Sequence, residues 1–129
     1  MLALALFSLT PATAGTPPIL SDEDREIVVI GQKLKNWRGV FKQRKGNYVC
    51  TTKRSTGDKM IDQIGCDALL KCAAPRGPEI GAIFAANKNR QTREQLMKPI
   101  NDSIGECLFE TRNDGIAALA EKRAAGVAN

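Results

Sequence analysis

Four side chains can form covalent links: Cys50, Cys66, Cys72 and Cys107. The C-x-x-C spacing of a redox pair is absent, and the chain has no histidine to complete a mixed zinc site. A cysteine-only zinc site competes with disulfides, which an oxidising compartment favours. Four cysteines allow three pairings. Ile61, Ile64, Ala68 and Cys72 recur at helical spacing, which puts Cys66 and Cys72 on one helix. Six residues along a helix separate two Cα atoms by about 9 Å, and a disulfide closes only below about 7 Å. That pair is therefore excluded. Cys72 shares the apolar stripe of its own helix, and Cys107 shares the stripe Leu96, Ile100, Ile104 and Leu108 of a later one. Cys66 lies about 120° around the helix from Cys72. The expected bridges are Cys50–Cys66, strand to helix, and Cys72–Cys107, helix to helix.

The second chemistry is charge. Between residues 33 and 59 stand nine basic residues and one acid, Asp58, a net +8 in a chain whose total is +5. Lys33, Lys35, Arg38, Lys42, Arg44, Lys45, Lys53 and Arg54 are the candidate anion-binding residues. Val40, Lys42 and Arg44 alternate with Trp37, Gly39, Phe41 and Gln43, so one strand face is cationic and the other partly aromatic. Such a surface attracts anionic polymers or lipid headgroups. The other reading is a solvated face whose lysines guard sheet edges.

Catalysis finds no footing. The candidate acids are Asp58, Asp62, Asp67, Glu79, Glu94, Glu106 and Glu110. They read as helix-start residues or as polar positions of amphipathic helices. Without histidine no serine has its usual activating base. The expectation is no enzyme, no cofactor and no metal.

The elements that must position these groups follow from periodicity. Residues 27–30 (IVVI), 37–43 (WRGVFKQ) and 47–53 (NYVCTTK) are rich in β-prone types. Short turns at Asn36 and at residues 44–47 (RKGN) join them into a three-stranded antiparallel meander. Ser55 and Asp58 match a capping box that starts the helix through Cys72, and Pro75 stops it. Pro78 opens a helix that Asn87 closes. Thr92 opens another, which Pro99 kinks or divides, and Asp114 caps a last helix. The fold class is α+β: a small three-stranded antiparallel sheet followed by three or four helices packed on one face, with two disulfides.

Residues 2–7 are an apolar run followed by Pro11 and the A-x-A pattern Ala12-Thr13-Ala14, so residues 1–14 read as a signal peptide. No Lys or Arg precedes the run, which leaves open a true start upstream of Met1. Residues 15–25 read as a flexible linker with prolines and acids, 26–125 as one domain and 126–129 as a disordered tail. The protein is expected to be periplasmic or secreted, with no transmembrane segment in the mature chain.

Glu26, Ile27, Val28, Val29, Ile30 and Gly31 form E-I-V-V-I-G. The hexapeptide resembles the Ton box of TonB-dependent outer-membrane proteins, with Ile30 in place of threonine. That resemblance implies docking to a periplasmic energy-coupling protein by strand addition. The alternative is an ordinary first strand. Together with W-R-G, Y-V-C, S-T-G-D, I-G-C-D-A and the later cysteine, the pattern is similar to small exported four-cysteine proteins of alphaproteobacteria. That likeness covers residues 26–107 and brings no activity with it.

Overall fold

Ser21 sets where the first helix begins. Its hydroxyl accepts a hydrogen bond from the Asp24 N–H at 3.1 Å, capping α1 (Asp22–Leu34). Asp22, Glu23 and Asp24 lie in the first turn and Lys33 in the last, signs that match the helix dipole. The computed structural model describes residues 19–126. The signal peptide expected over 1–14 lies outside the described residues, as do 127–129 of the expected tail.

α1 corrects two expectations. The segment read as a flexible linker is helical from Asp22 onward, and residues 26–31, read as a strand, form the middle of the same helix. Ile27, Ile30 and Leu34 fall at helical spacing, and Ile30 and Leu34 are buried in the core. Capping, the dipole and burial of that stripe together outweigh the β preference of an Ile-Val-Val-Ile run. The sheet therefore has two strands, not three.

Those strands are β1 (Arg38–Arg44) and β2 (Asn47–Arg54), paired antiparallel. The turn between them holds Lys45 at φ 51° and Gly46 at φ 82°, the left-handed pair whose twist suits a two-residue hairpin. Trp37 does not join the strand. It is buried in a slot between β1 and the next helix, and its Nε1 donates to Thr52 Oγ1 at 3.1 Å. The slot exists because two neighbours lack side chains. A Cβ on Gly39 would lie 2.3 Å from the indole, and one on Gly65 2.5 Å from it.

Asp58, not Ser55, caps α2 (Lys59–Cys72): its carboxylate accepts from the N–H groups of Met60 and Ile61. Ser55 instead donates to the Asp62 carboxylate, which also accepts from the Thr56 N–H and hydroxyl at 2.8 and 2.7 Å. The Ser55/Asp58 pattern is thus a loop clamped onto the first turn of the helix. Ile61, Gly65, Ala68 and Cys72 form the buried face of α2.

After a 3-10 turn (Ala74–Arg76) comes α3 (Gly77–Ala86), which packs on the final helix and has no buried residue. Asn87 closes α3, donating from its side chain to the Ile83 carbonyl at 3.0 Å. α4 (Arg90–Ala124) is one helix of 35 residues, capped by Asn89 rather than Thr92. It runs through Pro99 and past Asp114 without a break, so the separate last helix is also corrected. Pro99 removes one backbone donor. Packing of the helix that follows it offsets that loss, through buried Ile100, Ile116, Leu119 and Ala120 and the bridge at Cys107.

The disulfides pair as the apolar stripes lead us to expect, Cys50 with Cys66 and Cys72 with Cys107. One ties the hairpin to α2 and the other ties α4 to α2. The core fills the space among α1, α2 and α4 with Ile30, Leu34, Trp37, Ile61, Ile116, Leu119 and Ala120. The chain is α+β, with one helix before the hairpin and the others after it.

Candidate basic face of the hairpin

The strand register decides which side chains share a face. Pairings Val40–Thr51, Lys42–Val49 and Arg44–Asn47 alternate with Gly39–Thr52, Phe41–Cys50 and Gln43–Tyr48. The second set faces the helices: Cys50 is bridged to α2, Thr52 holds Trp37, and Tyr48 crowds Gly77. Phe41 and Tyr48 pack edge to face at 5.7 Å. These half-buried aromatics belong to the helix-facing side of the hairpin. The first set, extended by Lys53, faces away from the helices, because successive side chains of a strand point to opposite faces.

Lys42, Arg44, Lys45 and Lys53 are all exposed, with Lys45 at the tip of the turn. Arg38 and Arg54 are register partners at the open end. At about 3.3 Å per residue the strip spans roughly 20 Å from Arg38 to Arg44. Exposed Val40 and half-buried Val49 and Thr51 lie among the cations. Among the described residues the ion pairs are Arg76–Glu79, Arg90–Glu94 and Arg123–Asp58. None of them uses any of the eight basic candidates.

Three of the eight have duties within the fold. Lys33 lies in the last turn of α1 and offsets its dipole, and Lys35 is its C-cap. Arg38 donates to the carbonyls of Lys35 and Trp37 at 3.0 and 2.8 Å. Arg54 is exposed at the end of β2 but alternates with Lys53, in step with Thr52 and Cys50. The face left for a partner is Lys42, Arg44 and Lys53, with Lys45 at the tip of the turn.

Strand addition through Glu26, Ile27, Val28, Val29, Ile30 and Gly31 fares differently. It needs an extended segment with free backbone groups. Here those groups belong to a helix, and Ile30 is fully buried in the core. Docking would require unwinding α1.

Of the candidate acids, Asp58, Asp62, Asp67, Glu79 and Glu94 are engaged in the fold, Asp67 by accepting from the Gln63 amide at 2.6 Å. Burial pushes the Asp58 carboxyl up, but hydrogen bonds from Arg123 and from the Ile61 and Met60 N–H groups, with the Arg123 charge, bring it below the usual value of 3.8. Burial likewise opposes, and hydrogen bonds from Ser55 and Thr56 outweigh, at Asp62, which also lies below its ordinary range. Glu79 pairs with Arg76 at 2.8 Å and Glu94 with Arg90 at 3.0 Å.

Arg112 is the residue that sequence reasoning missed. It stands on the stripe Ile104, Leu108, Arg112, Ile116, where i+4 spacing calls for an apolar side chain. The signal was hidden by the expectation of a helix break at Asp114. Its guanidinium lies 5.7 Å from the centre of the Trp37 ring.

The fold and this face define a disulfide-braced helical module carrying a basic β-hairpin. Comparison of the chain with protein-family models, curated proteins and solved structures gives no match.

Proposed function

We propose that the protein is an exported binding module whose basic hairpin face holds an anionic polymer of the cell envelope. The observation that carries this reading is the set of exposed cations on the outer hairpin face, none in an ion pair among the described residues. Export is supported by the leader-like residues 1–14 and by two disulfides, which persist in oxidising compartments. Among the described residues no helix is long and apolar enough to cross a membrane. Binding is favoured over catalysis because Asp58, Asp62, Glu79 and Glu94 serve a helix cap, a loop clamp and ion pairs of the fold.

Retention on immobilised heparin tests the reading. Polyanion binding releases counterions, so affinity falls steeply with salt, and the slope reports the number of cations engaged. Replacing Lys42, Arg44 and Lys45 by Gln should elute the protein at clearly lower salt and flatten the slope by about two to three. Exposed charges contribute little to stability, so the melting temperature should hold. Retention unchanged in the triple variant would remove the hairpin from the binding surface.

A further inference from the structure

Between α1 and α4 runs a groove of about 630 Å³, within the range of small-molecule sites. Its walls include Val28, Leu108, Phe109 and Ile116, and its charged lining residues are Lys35 and Arg112. Among the described residues no carboxylate lines it. Val28 is 47% and Phe109 69% exposed, so an apolar strip lies open beside a positive end.

Arg112 is what makes this groove unusual. Its Nε is buried and makes no hydrogen bond. Burial, together with the charge of Arg38, weakens its hold on the proton, yet an arginine stays protonated in a protein. A half-buried cation with a cation beside it and no anion is costly. The Trp37 ring face offsets only part of that cost. A planar carboxylate against the guanidinium offsets much more, through charge-assisted hydrogen bonds.

We propose that this groove binds a single-chain amphipathic carboxylate, its head on Arg112 and its alkyl tail along Val28, Leu108 and Phe109. One guanidinium neutralises one charge, which suits a monoanionic head, and the apolar strip suits one tail. A second copy of the chain is a poor occupant, because a two-fold contact would bring two positive patches together. The site is separate from the outer hairpin face and stands or falls apart from it.

The test is titration of Trp37 fluorescence, since Trp37 is the single tryptophan of the chain and contacts Arg112. Sodium laurate below its micellar concentration, dodecanol and acetate are the probes. Laurate should bind at least tenfold more tightly than either the tail without the charge or the head without the tail. Arg112→Gln should weaken laurate by tenfold to a hundredfold and leave dodecanol unchanged. Phe109→Ser, at an exposed position that cannot compromise the core, should weaken laurate and dodecanol alike. The variant lacking the Lys42, Arg44 and Lys45 charges should bind laurate as the parent does. Equal affinity for laurate and dodecanol, or laurate binding unchanged in either Arg112→Gln or Phe109→Ser, would overturn the proposal. So would laurate binding lost with the hairpin charges but kept in Arg112→Gln.

Discussion

Asp58 accepts hydrogen bonds from the Met60 and Ile61 N–H groups at 3.0 and 3.4 Å, while its other oxygen takes Arg123 Nη2 at 2.7 Å. One carboxylate thus starts α2 and holds the last turn of α4, 65 residues away. Asp58→Ala should lose the cap and the ion pair, costing about 1–3 kcal/mol. Asp58→Asn keeps the capping acceptor and should cost less than half as much. The pH dependence has a fixed sign. The folded carboxyl lies below its ordinary 3.8, so its contribution is complete above that value and is lost as pH falls through the depressed one. Urea titrations of parent and Asp58→Asn should therefore differ most above pH 4 and converge in stronger acid. A constant difference down to pH 2 would mean that the charge is not what stabilises.

On the proposed reading, the hairpin gives up some ease of folding to place a cation at its tip. Lys45 sits at φ 51° in a turn that favours asparagine followed by glycine. A lysine held there costs on the order of 1 kcal/mol. Lys45→Asn should raise the melting temperature by a few degrees and at the same time lower the salt needed to elute the protein from heparin. A variant that is more stable but equally retained would take Lys45 out of the binding face. The hairpin, its turn and the two cross-links were legible because β-prone alternation, a Lys-Gly turn and helical spacing around Cys66 and Cys72 all act over short distances. α1 was not legible from Ile-Val-Val-Ile alone. Its helical state depends on Ile30 and Leu34 meeting Ile116 and Leu119, residues more than eighty positions away. The same distance hid Arg112, whose oddity appears only when α4 is seen to run unbroken through Pro99 and Asp114. The eight basic candidates were legible as charges. Their division into outer-face cations and cations serving α1 required the strand register.

At the scale of the whole molecule, α2 is the covalent hub, since Cys66 reaches the hairpin and Cys72 reaches α4. The Cys72–Cys107 bridge spans 35 residues, and the chain-entropy account gives such a loop about 4 kcal/mol. Cys72→Ala with Cys107→Ala should lower the melting temperature by roughly 10–20 °C, and reductant should move the parent in the same direction. An unchanged melting temperature would place the stability of α4 entirely in its packing. The two bridges enclose residues 50–66 and 72–107. α1, β1 and the second half of α4 lie outside both loops, and α1 and α4 pack on one another. Chain outside a loop regains its full conformational freedom when it detaches, whereas chain inside one does not. Backbone amides of α1 and of α4 beyond Cys107 should therefore exchange with solvent sooner than those of the cross-linked centre, an order that hydrogen exchange would read. The groove residues Val28, Leu108, Phe109 and Arg112 all lie in that layer, on chain that neither bridge restrains.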